Sequence, residues 1–235
     1  MTQSATASTH KKSCDCGCSG PDANLRKTVE EIVRRVVDSV VAGLGDMVVP
    51  IEVSARHLHI TKEDFRKLFG QDAELSKLRD LNQPGEFAAN ETVTVVGPKR
   101  RMIEAVRILG PNRKITQIEL SYTDGVFLGI DLPHRLSGDI EGSAPIVLVG
   151  PKGVLDLKQG AIRAQRHIHM SPEQAEKWGL KHGQKVSVET RGPMKVTFNN
   201  VVIRTQKDLN LSMHIDTDEA NAAGIHSGET GVIIP

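Results

Sequence analysis

Two His-x-His pairs offer the most chemistry in this sequence, His57-Leu58-His59 and His167-Ile168-His169. In a strand, residues i and i+2 face one side, so each pair presents two imidazoles together. Two imidazoles so placed can hold one metal ion, and a third donor from elsewhere completes a catalytic zinc-type site with one position open. A single pair is weak evidence, because exposed or structural histidines produce it often. Here the pair is duplicated inside a longer repeat. Ser54-Ala55-Arg56-His57-Leu58-His59-Ile60-Thr61-Lys62-Glu63 recurs about 110 positions later as Ala164-Gln165-Arg166-His167-Ile168-His169-Met170-Ser171-Pro172-Glu173.

The likeness extends downstream and supplies third donors. Glu119-Leu120, Asp124 and Gly129-Ile130 line up with His214-Ile215, Glu219 and Gly224-Ile225. Glu119 thus stands in the first copy where His214 stands in the second. The resulting sets are His57, His59 and Glu119 for one ion, and His167, His169 and His214 for another. Imidazole with carboxylate suits zinc, with cobalt, nickel and iron open. The carboxylate of Glu119 makes the first set less positive, so two bound ions would not be equivalent. His10, His134, His182 and His226 are isolated and read as solvated or locally bonded.

Two arginines approach these sets along the chain. Arg113 lies in the turn Gly110-Pro111-Asn112-Arg113-Lys114, and Arg204 ends the run Val201-Val202-Ile203. Guanidinium groups beside a metal pair would form an anion site, phosphate being the expected small anion. Arg56 and Arg166 alternate onto the opposite strand face and read as structural or surface residues. A nucleophile elbow, a Walker A loop and a His-Glu-x-x-His helix are all missing. No cysteine lies within the repeat, so a cysteine nucleophile is not expected.

The positioning elements must be short. Val93-Thr94-Val95 and Val186-Ser187-Val188 alternate like strands, and Gly/Pro/Asn turns punctuate the chain. Thr61 with Asp64, and Ser171 with Pro172 and Gln174, read as N-caps with capping boxes. Gly70 and Gly179 end those helices. Seven aromatic residues against nine histidines leave Val, Ile and Leu to build the core, which suits strands. The pattern predicts a mainly β chain of two small, six-stranded-type barrels from an internal repeat, with short capping helices and one amphipathic helix in front.

That helix is read over residues 21–46. Leu25, Val29, Ile32, Val33, Val36, Val37, Val40, Val41 and Leu44 recur at steps of three and four, an apolar stripe for a partner surface or the chain's own domain. Residues 1–20 are small and polar, which predicts disorder. They hold Cys14, Cys16 and Cys18, whose role stays open. Thirty basic against 29 acidic side chains argue against a general nucleic-acid binder. No apolar run reaches the roughly 18 residues of a membrane span, and no export signal is evident.

These residues together resemble the phosphate propanoyltransferase family of bacterial microcompartments. The resemblance runs from Val49 to Pro235 and is carried by Ser54–His59, Gly110-Pro111-Asn112-Arg113, Gln117-Ile118-Glu119, Gln165–Ser171 and His214-Ile215-Asp216-Thr217-Asp218-Glu219-Ala220-Asn221. It implies a reversible phosphate acyltransferase: short-chain acyl-CoA and phosphate exchange for acyl phosphate and CoA at a site with two zinc ions. It implies that Arg113 binds phosphate and that Ser137 and Arg204 are further active-site positions. It implies that residues 21–44 form an encapsulation helix recognising shell or cargo proteins, in a cytoplasmic microcompartment of the propanediol or ethanolamine type. A homo-oligomer is also expected. The two barrels, residues 47–150 and 151–235, are implied to exchange a strand, with 47–55 joining the second. The alternatives from other classes are a dinuclear metal phosphoesterase and a non-enzymatic metal-binding assembly module.

Overall fold

A computed structural model describes residues 28–33 and 47–235. The tail 1–20 with its cysteines, and most of the segment 21–46, lie outside the described residues. Residues 28–33 are α-helical, and Val29, Ile32 and Val33 are each at least half exposed there. Residues 46–235 form one compact unit. Among the described residues no helix is long and apolar enough to cross a membrane.

Short alternating segments close into two rings of six strands. Barrel two joins β1 (Val48–Ser54), β13 (Ser212–Asp216), β10 (His167–Met170), β12 (Thr197–Thr205), β11 (Lys185–Thr190) and β14 (Thr230–Ile234) in that order. Barrel one joins β4 (Phe87–Val96), β5 (Met102–Gly110), β2 (His57–His59), β6 (Gln117–Glu119), β9 (Val154–Ala164) and β8 (Ala144–Val149), with β8 returning to β4. β3 (Lys77–Asp80) extends barrel one at β4, and β7 (His134–Arg135) extends it at β9.

The exchange of strands runs in both directions. β1, which precedes His57, pairs with β13 and β14 of barrel two. β9, which precedes His167, pairs with β6 and β8 of barrel one. A division at 150/151 therefore places β9 on the wrong side. Each repeat contributes its first strand to the other copy's ring, and only residues 55–56 or 165–166 separate that strand from the His-x-His strand. Both histidine pairs thus sit where the chain crosses between barrels.

Period-2 alternation does the rest. Leu58 and Ile60 are fully buried in the apolar cluster of barrel one, with Ile118, Val106 and Ile108. Ile168 and Met170 are as completely buried. Each such side chain contributes about 1.5–3 kcal/mol by leaving water, and this fixes the register that turns the histidines to the opposite face. The core is aliphatic, with Phe65 the one aromatic among its largest fully buried side chains.

Four short helices follow strands in matching places: α1 (Lys62–Phe69), α2 (Tyr122–Leu128), α3 (Pro172–Lys177) and α4 (Thr217–Ala223). Thr61 and Ser171 cap α1 and α3 by accepting from the N–H of Asp64 and Gln174, at 3.0 and 3.1 Å. The reciprocal boxes, however, belong to Ser121 with Asp124 and to Asp216 with Glu219. At α1 the Asp64 carboxylate instead accepts from the Thr116 hydroxyl at 2.6 Å, and that hydroxyl accepts from Thr61 N–H at 3.1 Å. Arg56 and Arg166 play equivalent structural parts. Arg56 binds Asp124 at 2.9 Å and Arg166 binds Glu219 at 2.6 Å, each tying a His-x-His strand to a helix cap.

Candidate active site

The two copies place their donors by one register. His57 lies opposite Glu119 and His59 opposite Gln117 across β2 and β6. His167 lies opposite His214 and His169 opposite Ser212 across β10 and β13. Glu119 and His214 are thus equivalent in space as well as in sequence.

In the first set, the donor atoms of His57, His59 and Glu119 all lie within 4.8 Å of one another, and all three residues are buried. His57 Nδ1–H donates to the Ala55 carbonyl at 2.9 Å, which leaves the Nε2 lone pair facing inward. That Nε2 is 3.6 Å from Glu119 Oε2, beyond a hydrogen bond. Gln117 Nε2 donates to the other Glu119 oxygen at 2.7 Å and to Ser137 Oγ at 3.0 Å, while Gln117 Oε1 accepts from Gly138 N–H at 2.7 Å. Held in this way, Glu119 can turn only Oε2 toward the histidines.

The second set repeats the orienting bond: His167 Nδ1–H donates to the Gln165 carbonyl at 2.8 Å. His167 Nε2 and His169 Nε2 are 3.0 Å apart. Two nitrogens on one tetrahedral zinc, with bonds of ~2.0–2.1 Å, stand ~3.3 Å apart. The His214 ring lies 5.2 Å from that of His167 and nearly parallel to it. His214 Nε2 is hydrogen-bonded to the Ser212 hydroxyl at 3.0 Å and lies 3.7 Å from Glu52 Oε2.

Burial favours the neutral form of His59, His167, His169 and His214. It lowers His59 to about 2, helped by His57 and Arg113. It lowers His169 to about 3, helped by His214, Arg204 and Arg113. It lowers His214 to about 4, with Glu119 opposing the shift, and it holds His167 well below the usual imidazole value. Neutral imidazoles are the ligand form. His59 Nδ1 and His169 Nδ1 are buried with no hydrogen-bond partner among the described residues. Among the described residues the donor atoms of His57, His59 and Glu119 are those that converge as one group, and unsatisfied buried nitrogen, a tautomer fixed by a carbonyl and the carboxylate together fit a zinc-type donor set there.

The arginines arrive from different places. Arg113 follows Gly110, where a Cβ would stand 2.2 Å from the Phe87 ring and force that ring to move. Arg113 N–H donates to the Ile60 carbonyl at 2.9 Å, and its guanidinium binds Glu86 at 2.6 Å. Arg204 lies beside His169 on β12. Its burial lowers its pKa, Glu119 and Glu86 oppose that, and Arg113 adds to it. Both donor sets, both arginines and Ser137 line one cleft of ≈620 Å³ between the barrels, so every residue expected at the site is gathered there.

Several residues of the cleft escape a reading by motif. Gln117 is an orienting group two positions from Glu119 on the same strand face. In the segment 81–86, Gln83 donates to Ser212 Oγ at 2.9 Å and Glu86 holds Arg113. Glu52 alternates with Val49, Ile51 and Val53 onto the other face of β1, so spacing alone does not single it out. Burial raises its pKa, and a hydrogen bond from Asn82 opposes the rise.

The family model described as phosphate propanoyltransferase matches residues 50–226. A phosphate propanoyltransferase of Lachnoclostridium phytofermentans is 49% identical over 211 residues, covering 90% of this chain and 99% of its own. One from Priestia megaterium is 50% identical over 209 residues, covering 88% and 96%. One from Thermotoga maritima is 49% identical over 186 residues, covering 78% and 88%. The paired barrels and their cleft are those of a transferase enzyme. The chain belongs to the phosphate propanoyltransferase family.

Proposed function

We propose that this enzyme exchanges CoA for phosphate on a short-chain acyl group, reversibly, in the cleft between its barrels. The observation that carries the reading is the convergence of two donor sets and two arginines on that one cleft. Two zinc ions, held by His57, His59 and Glu119 and by His167, His169 and His214, would supply Lewis acidity toward the phosphate and the thioester carbonyl.

The chain's own groups do the positioning. Arg113 holds phosphate by its guanidinium fork, turning from Glu86 or sharing its N–H groups with it. A phosphate oxygen then attacks the thioester carbonyl, the C–S bond breaks, and CoA leaves as the thiolate. Arg204 faces the oxyanion that forms in between, and its partial burial strengthens that stabilisation. Ser137, fixed by Gln117, offers a hydroxyl at the edge of the site. No protein nucleophile is needed, and holding both substrates together supplies the proximity term. Residues 21–44 would dock on shell or cargo proteins of a microcompartment, and the enzyme would work there as a homo-oligomer.

The test is CoA release from acetyl-, propionyl- and longer acyl-CoAs, with and without phosphate, beside elemental analysis. Phosphate-dependent release with two metal equivalents is expected. Phosphate release from phosphoesters without any need for CoA would replace the reading by a phosphoesterase. Removal of residues 1–45 should leave turnover intact and change assembly, and loss of folding would make that segment part of the core.

A further inference from the structure

Equivalent places in the two barrels carry unlike side chains. Arg204 stands on β12 beside His169. One residue past the Leu58–Ile108 pair, β5 puts Leu109 beside His59. Both line the cleft. A guanidinium suits an anion, whereas the favourable partner of a leucine is apolar surface. Leu109 is only partly buried, so it offers such surface to whatever the cleft holds. Leu120 and Ile215 also reach the cleft, but they are 2% and 1% exposed and offer a substrate little.

The neighbours of Leu109 extend that surface. It pairs with Ala88 on β4, which is entered directly from the segment 81–86. Leu81 N–H donates to the Glu86 carbonyl at 3.0 Å, which folds the segment back on itself. Leu209 arrives from barrel two on the loop 206–211. Gln83 staples the two loops: its Oε1 accepts from Asn210 N–H at 3.1 Å, and its Nε2 donates to the Asn210 carbonyl at 3.1 Å and to Ser212 Oγ at 2.9 Å. Leu81 and Leu209 are partly buried and line the cleft with Leu109. Glu86, at the end of the same segment, holds Arg113.

We propose that Leu109, Leu81 and Leu209 form the pocket for the acyl chain of the thioester, with Leu109 setting its depth. The proposal rests on the acyltransferase reading above and deepens it. The acyl carbon lies toward Arg113 and the attacking phosphate, and the chain behind it packs on the three leucines. Because Gln83 is buried with both amide atoms bonded, the wall that carries Leu81 and Leu209 is held in place. A wall so held distinguishes chains by the volume they fill or overfill.

The test follows CoA release from acetyl-, propionyl-, butyryl- and hexanoyl-CoA at saturating phosphate, and compares kcat/KM ratios within each variant, with metal content measured alongside. Leu109→Ala should raise the hexanoyl-to-propionyl ratio about 10-fold or more, and Leu109→Phe should lower the butyryl-to-acetyl ratio to a similar degree. Leu81→Ala and Leu209→Ala should move the ratios as Leu109→Ala does, by less. An equal proportional loss for every acyl-CoA in the Leu109 variants would overturn the proposal, because a folding or metal defect scales all substrates alike. Should the Leu109 variants fail to fold or lose metal, unchanged ratios in Leu81→Ala and Leu209→Ala would overturn it instead. No phosphate-dependent CoA release by the unaltered protein from any of the four would sink the acyltransferase reading itself.

Discussion

The two barrels share a scaffold and differ in chemistry. In both, the first histidine is oriented by a carbonyl two residues upstream, the apolar residue between the histidines fills the core, and an arginine ties the strand to a helix cap. The differences fall on the cleft. Glu119 corresponds to His214, Gln117 to Ser212, and Ile162 to Glu52 in equivalent registers of the two barrels. The arginines are not equivalent at all. Arg204 sits on β12 beside His169, where the matching place on β5 is Leu109, while Arg113 comes from the turn after β5. Duplication thus supplied two oriented imidazole pairs, and the substituents around them gave each barrel its own task.

Removing a first histidine should break the comparison most severely. His57→Ala and His167→Ala should each lose one metal equivalent and keep the other. Turnover should fall on the order of 10²–10³-fold, the rate equivalent of several kcal/mol. Elemental analysis and CoA-release kinetics check this. Loss of both ions from either variant would mean that the sets are one interdependent site.

The arginines come next. Arg113→Ala should lower phosphate-dependent turnover by about 10²-fold or more while both metals stay, as expected for a lost charged donor. Arg204→Ala should act more on kcat than on the KM for phosphate if, as proposed, it stabilises the oxyanion rather than the incoming anion. The same rise in phosphate KM for both would erase the division of labour drawn above.

The orienting groups test a weaker difference. Gln117→Ala should reduce metal affinity of the first set about 10–100-fold, since Gln117 holds one Glu119 oxygen and leaves the other facing inward. Ser212→Ala should cost the second set less. Its hydroxyl occupies His214 Nε2, which an ion would need. Metal titration with a chelating indicator measures both.

How far the sequence carried this picture depends on distance along the chain. Six candidate donors could be named because a two-residue spacing fixes a face and the repeat supplied third positions, and the structure lines one cleft with all six. The barrels were legible from short alternating runs. Reciprocal exchange was not, because alternation tells which face of β9 is apolar and not which strand lies beside it. Glu52 was hidden for the same reason: its neighbour His214 is 162 positions away and met only through β1. Gln83 was hidden likewise, because it meets Ser212 across 129 positions. Thr61 was legible as a cap, but not the diversion of Asp64 to Thr116, which is 52 positions off.

That diversion gives the smallest and most local test. Thr61→Ala and Ser171→Ala remove equivalent caps, and an N-cap hydroxyl contributes about 1 kcal/mol, range 0.5–2. Ser171 accepts one bond and its helix begins with Pro172, whose lack of N–H already leaves one fewer group to satisfy. The Thr61 hydroxyl supports Asp64 N–H, and the same residue's backbone N–H feeds the Thr116–Asp64 bond that joins α1 to barrel one. Loss of the cap should loosen both. Thr61→Ala is therefore expected near the upper end of that range and Ser171→Ala near the lower, read as midpoint shifts in urea unfolding at equal slope. Equal shifts would show that the Thr116 bridge holds α1 without its cap, and that the two copies share this part of the scaffold in energy as well as in shape.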